Sequence, residues 1–295
     1  MTASWLTEID GDPASHTAPE SVARLLAGLS DATASVQHRG TCISVLSRVV
    51  KALEVAPVEA STALIRGALP TIVDRLLESE EHQDGSAISI LRRIESDEAT
   101  VEHILKHLVD PPESAVSLLL EALHLHDWDA LPEHVEQTFV RFLPVDHGAY
   151  AAGYALYCMA SKLRLPSTLD ALRTAAAPEA NAWGRHYALT ALCCLLSVDE
   201  HEATARTYLT QVLEDASDRS RAEVAAALGW ATNRGLDLLE RLAKDPDAAV
   251  RRGVAESVLR DEYRPLPGAQ ALLRALAEDE DPELREYVEL ALDPE

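Results

Sequence analysis

Asp245-Pro246-Asp247-Ala248-Ala249-Val250-Arg251-Arg252-Gly253-Val254-Ala255 decides the fold, because Asp281-Pro282-Glu283-Leu284-Arg285-Glu286-Tyr287-Val288 answers it one period later. In both segments Asp-Pro closes the preceding element, since the proline ring disfavours helical geometry in the residue before it. The same ring is tolerated in the first turn of a new helix, where its missing N–H is no loss. An arginine then follows just inside that helix. The spacing extends backwards: Arg185, Arg221, Arg251 and Arg285 are separated by 36, 30 and 34 residues. Each is followed at +3 and +7 by apolar residues: Ala188 and Leu192, Val224 and Leu228, Val254 and Val258, Val288 and Leu292. Such a period, with two helices in each, is that of an all-α helical solenoid.

The pattern Asp-Pro-x-x-x-Val-Arg-x-x-Val-Ala resembles the second helix of a HEAT repeat, including the variant named after phycobilisome lyases. It matches best from Asp245 to Leu259, then from Asp281 to Leu292, and in part from Asp218 to Leu228. Upstream, Arg39-Gly40 followed by Ser44-Val45-Leu46 echoes Arg252-Gly253 followed by Ser257-Val258-Leu259. The resemblance implies a right-handed α-solenoid of about eight HEAT-like helix pairs. It also implies a ladder of Asp and Arg side chains along the stack, here Arg221, Asp245, Asp247, Arg251, Asp281 and Arg285. Residues 1–18 read as a short leader with one helical turn around Trp5, and 19–295 as a single solenoid domain.

Helical periodicity places the pairs in order at 19–29 with 36–55, 61–78 with 85–94, 97–109 with 114–124, and 132–143 with 148–163. The remaining pairs are 167–177 with 182–196, 201–213 with 219–231, 236–243 with 248–260, and 267–277 with 283–292. A polar turn at 80–84 joins the second pair. No stretch alternates long enough to require a strand.

Composition excludes several functions. Apolar residues are 47% but aromatics only 4%, which suits close helix packing rather than a β-rich fold. Against 49 acidic residues stand 26 basic ones, a formal net charge of −23. Such a surface opposes a nucleic-acid backbone, which needs clustered cations, and also anionic lipid. Only Lys51, Lys106, Lys162 and Lys244 are lysines. That bias fits either a salt-rich cytoplasm or a GC-rich genome. Cys42, Cys158, Cys193 and Cys194 lack metal-site spacing and read as small buried hydrophobes. Residues 1–12 show no secretory signal, and no apolar run approaches the roughly 18 residues of a membrane span. A cytoplasmic protein is expected.

Two constellations invite chemistry. Five of the eleven histidines fall between His103 and His134. His103 and His107, one helical turn apart, can face one metal ion, with His124 and His126 as further ligands. Scattered surface histidines are the competing reading. His201-Glu202 is worth naming because deoxyhypusine hydroxylase, a HEAT-repeat enzyme similar in fold, holds a di-iron centre through several His-Glu pairs. Only one such pair occurs here, so that pattern is missing and a solvated helix start is expected. Alkylpurine glycosylases, also HEAT-like, place Trp and Asp at a damaged base; Trp183 and Trp230 lack that context. No phosphate loop, nucleophile elbow or Cys/His nucleophile pattern occurs.

The aromatics point elsewhere. Tyr150, Tyr154 and Tyr157 share one helix face, Trp183 and Tyr187 sit on the matching helix of the next repeat, and Trp230 on the one after. In HEAT stacks the second helices line the concave surface, so these side chains are expected to form a strip flanked by Arg185 and Arg221. Aromatics and arginine are enriched where protein partners bind. The expected function is a non-catalytic protein-binding scaffold without a cofactor, whose partner carries a basic patch. A metal-binding protein built around His103–His134 is the alternative.

Overall fold

The computed structural model describes residues 6, 11–78, 85–215 and 218–292. Among them are seventeen α-helices and no strand. Two compact units form, residues 1–129 and 130–295, and each is a double layer of helices.

The first unit contains α1 (Pro19–Ser30), α2 (Val36–Val55), α3 (Glu59–Gly67), α4 (Leu69–Glu78), α5 (Ser86–Leu91), α6 (Glu98–His107) and α7 (Glu113–His124). First helices pack on first helices, α1 on α3 and α4 on α6, while α2, α5 and α7 stack in the second layer. Starts follow local chemistry. Pro19 opens α1, Ser35 accepts the His38 N–H ahead of α2, and Asp97 accepts the Thr100 N–H at 2.8 Å to cap α6. The helix expected over 61–78 is instead two, because Pro70 fits only the first turn of a helix and Gly67 weakens the turn before it. Its expected partner, 85–94, shortens to α5. The turn at 80–84 and the turn around Trp5 lie outside the described residues. Leu6 is fully buried, and a 3₁₀ turn at Pro13–His16 rests on α2.

The second unit contains α8 (Glu133–Phe142), α9 (Asp146–Cys158), α10 (Pro166–Ala175), α11 (Ala182–Leu195), α12 (Glu202–Asp215), α13 (Asp218–Ala227), α14 (Leu236–Leu242), α15 (Ala248–Val258), α16 (Pro267–Leu276) and α17 (Pro282–Leu292). Second helices stack consecutively as α9, α11, α13, α15 and α17, and first helices as α8, α10 and α12, then α14 on α16. Small residues bring the second helices together. A Cβ added to Gly253 would sit 2.9 Å from the Ala222 carbonyl oxygen, and one on Gly184 would sit 3.1 Å from the Ala149 Cβ. The helices expected to run to 163 and 231 end at Cys158 and Ala227. Each is followed by a 3₁₀ turn, Ala160–Lys162 and Leu228–Trp230, the tightening by which helix ends satisfy their last carbonyls.

One buried carboxylate organises a junction that the sequence did not advertise. Glu136 on α8 is wholly buried and accepts the backbone N–H groups of Arg164 (3.0 Å) and Leu165 (3.1 Å) and the Thr168 hydroxyl. It thus satisfies donors at the start of α10 that the helix itself cannot pair.

Candidate protein-interaction surface

The arginines come first, because they decide what is left to meet a partner. Arg221 grips Asp245 through one edge of its guanidinium, Nε donating to Oδ2 at 2.7 Å and Nη2 to Oδ1 at 3.0 Å. Arg251 repeats the fork on Asp279, both bonds at 2.7 Å, and donates to the Asp245 and Pro246 carbonyls at 2.8 and 3.0 Å. Arg285 folds back on the Asp279 and Glu280 carbonyls in the same manner. Arg251 and Arg285 therefore tie down their own preceding loops, and Arg221 and Arg251 hold the carboxylate of the next repeat. The acceptor opposite Arg251 is Asp279, two residues before the expected Asp281. Asp247 and Asp281 instead cap α15 and α17 through Ala249 N–H (2.8 Å) and Leu284 N–H (2.9 Å). Arg221 lowers the Asp245 carboxyl below its ordinary range, and Arg251 does the same to Asp279, by hydrogen bonding to the ionised form.

Arg185 and Arg221, expected beside a groove, are turned into the stack. Arg185 is buried and donates to Ser220 and Glu223 of the following repeat. The echo at Arg39-Gly40 is shifted by one residue in its structural role. Arg39 is buried and folds onto the Asp31 and Ala34 carbonyls, as Arg251 folds onto its loop, whereas the exposed Arg252 does not.

The aromatic side chains do converge. Tyr150 and Tyr154 on α9 meet Tyr187 on α11 edge to face, with ring centroids 5.3 and 5.4 Å apart. Trp183 caps one end against Tyr150 at 5.7 Å, and Trp230 closes the other against Tyr157 at 5.3 Å. These spacings are those of favourable aromatic pairs. Tyr150, Tyr154, Trp183 and Trp230 are 39–61% exposed, an unusual display for large rings. Glycine makes the contact possible: a Cβ on Gly153 would come within 2.9 Å of the Tyr187 Cβ. Asn181 positions Trp183 by capping α11, its side-chain oxygen accepting the Trp183 and Gly184 N–H groups. Beneath the strip, Tyr157, Cys158, Ser161, Cys194, Val198 and Trp230 line much of a recess of about 480 Å³.

The cation of this surface is one that sequence reading missed. The Arg260 guanidinium lies 3.7 Å from the centre of the Trp230 ring, and it can approach because Gly229 has no side chain to block it. Burial raises the Tyr157 phenol to about 12 and holds Tyr187 above its ordinary value, aided there by a hydrogen bond with Tyr150. Both therefore stay neutral hydrogen-bonding groups. Cys42 and Cys193 are buried as expected, but Cys158 is exposed, because α9 presents it toward the recess.

His103 and His107 approach each other and Asp74 on α4; His124 and His126 do not join them. His126 packs edge to face on Trp128, and burial lowers the His124 imidazole below its ordinary value. His201, expected at a solvated helix start, is buried, with Nε2 3.0 Å from the Leu163 carbonyl oxygen. The helix begins one residue later, so the imidazole is spent on the neighbouring loop.

Residues 206–293 match the family of HEAT repeats. In fold the chain is similar to Kap121p, with a TM-score of 0.52 at 12% identity over 92% of this chain, and to a triple mutant of Kap121p, with a TM-score of 0.52 at 13% identity over the same share. It spans 33% of each of those chains. Human deoxyhypusine hydroxylase in complex with glycerol aligns at 18% identity over 97% of this chain and 98% of its own, with a TM-score of 0.34. No curated protein matches the sequence. The fold is an α-solenoid, and the match to HEAT repeats is confined to its C-terminal third. Among the described residues no helix is long and apolar enough to cross a membrane.

Proposed function

We propose that the chain is a non-catalytic protein-binding scaffold in the cytoplasm, and that its partner docks on the strip from Trp183 through Tyr150, Tyr154, Tyr187 and Tyr157 to Trp230. The observation that carries this reading is a continuous run of six aromatic rings, four of them exposed, in a protein with 4% aromatics. An ordinary fold would bury those rings or scatter them. Displayed together, they provide rigid apolar area that costs little conformational entropy on binding, the usual composition of an interface hot spot.

The partner's chemistry follows from the surroundings. A net charge of −23 draws in a basic segment and speeds encounter. The ring faces then accept guanidinium or ammonium groups, as Trp230 already accepts Arg260. The arginines of the stack contribute by fixing repeat register rather than by touching the partner. The same electrostatics weigh against a nucleic-acid partner.

The test is capture from a lysate of the native source with the full chain as bait, comparing wild type with Tyr154→Ala and Trp230→Ala. A protein recovered with wild type and lost with both folded variants supports the reading. Equal recovery by all three sinks it.

A further inference from the structure

Helices α4 and α6 pack side by side, and their facing residues put three metal-ligating atoms on one small triangle. His103 Nε2 lies 2.7 Å from Asp74 Oδ1, His107 Nε2 lies 3.1 Å from the same oxygen, and the two nitrogens are 3.2 Å apart. One helical turn separates the histidines, so their rings leave the same face and meet edge to face at 4.7 Å.

Hydrogen bonding alone leaves this triangle frustrated. A carboxylate only accepts, and each Nε2 is either a donor or an acceptor. If both rings donate to Asp74, two N–H groups confront each other across the third edge. If one ring accepts from the other, its lone pair faces the carboxylate. A cation at the centre makes all three contacts favourable, and the dimensions suit it. Nitrogen and oxygen ligands lie about 2.0–2.2 Å from an ion such as zinc, so two of them sit about 2.9 Å apart at a right angle and about 3.3 Å apart at a tetrahedral one. The three edges in the protein come close to that range without any rearrangement.

We propose that Asp74, His103 and His107 bind a divalent first-row transition-metal ion, with Zn²⁺ the best match to two imidazoles and one carboxylate. The ligands are anchored well, because Ile72 and Val73 on α4 and Val101 and Ile104 on α6 are buried beside them. They are also reachable: the three side chains are 29–38% exposed, so solvent fills the remaining coordination positions. The −23 net charge raises the local concentration of cations. The site lies in the first unit and owes nothing to the aromatic strip of the second.

Untagged full-length protein, stripped with a chelator and dialysed, is titrated with Zn²⁺ by calorimetry. The expected result is one ion per chain, at least tenfold weaker binding in Asp74→Asn and in His107→Gln, and unchanged binding in His126→Ala. Circular dichroism establishes that each variant is folded; His107→Gln is chosen because it keeps the helix and nearly the volume. Zn²⁺ is expected to raise the unfolding temperature of the wild type and not of the His103→Gln/His107→Gln double variant. Absence of stoichiometric uptake by the wild type overturns the proposal. So does uptake that survives in the folded double variant.

Discussion

Arg251 and Asp279 meet through two parallel hydrogen bonds of 2.7 Å, with both side chains more than nine-tenths buried. Among the described ion pairs of the second unit it is the one most withdrawn from solvent, and it links a helix to the loop of the next repeat. Surface pairs contribute about 0–1 kcal/mol each, so geometry and burial set this one apart. Removing one partner leaves the other charge buried and uncompensated. Arg251→Ala is therefore expected to destabilise the protein by about 3–5 kcal/mol in urea unfolding. Arg252→Ala, one residue along and exposed, is expected to cost less than about 1 kcal/mol.

Acid should release the same pairs. Asp245 and Asp279 titrate below their ordinary value of 3.8, because arginine hydrogen bonds favour the ionised form. A folded-state value below the unfolded one means that the stabilisation is complete above the unfolded carboxylate range and is lost as pH falls through the folded values. The unfolding free energy of the wild type should drop below about pH 4. Asp279→Asn should show a shallower acid dependence, since it has already given up one of the two titrating groups.

Glu136 makes a second buried prediction. In Glu136→Ala the N–H groups of Arg164 and Leu165 and the Thr168 hydroxyl all lose their acceptor. Buried unpaired donors cost about 1–3 kcal/mol each, so a loss of about 3 kcal/mol or more is expected. Glu136→Gln retains one acceptor oxygen and should lose clearly less. Hydrogen exchange at the start of α10 reads the local effect.

Two glycines that look alike in sequence should behave oppositely. Nothing lies within 4 Å of a Cβ added to Gly40 in the interior of α2, so Gly40→Ala should stabilise by about 0.5–1 kcal/mol through helix propensity. A Cβ on Gly253 meets the α13 backbone, which cannot swing aside as a side-chain tip would. Overpacking costs about 1–3 kcal/mol and outweighs the propensity gain, so Gly253→Ala should destabilise. Thermal unfolding of the pair decides between these signs.

Arg260 should matter to binding more than its place in the sequence suggests. It presses on the Trp230 ring at 3.7 Å and fixes that end of the strip. Once a partner is in hand, Arg260→Ala should weaken it about tenfold, the consequence of losing roughly 1.4 kcal/mol of anchoring at a hot spot. Arg221→Lys, which acts inside the stack, should change stability and leave affinity within twofold.

The sequence by itself determined the helical period and many of the helix starts. Those depend on neighbours within a turn or two: Asp97, Asn181, Asp247 and Asp281 cap the helices they precede, and prolines open helices at Pro19, Pro166 and Pro267. Apolar spacing likewise marked which face of each helix would be buried. It also brought Tyr150, Tyr154 and Tyr157 onto one face and His103 beside His107, since both are matters of helix geometry alone. Only the tertiary structure decided partners drawn from distant helices. It gave Arg251 to Asp279 rather than Asp281, brought Asp74 to the two histidines in place of His124 and His126, and laid Arg260 on Trp230. The reason is physical: a side chain's rotamer and the crossing of two packed helices select among carboxylates and rings only a few residues apart, and no local propensity records that choice.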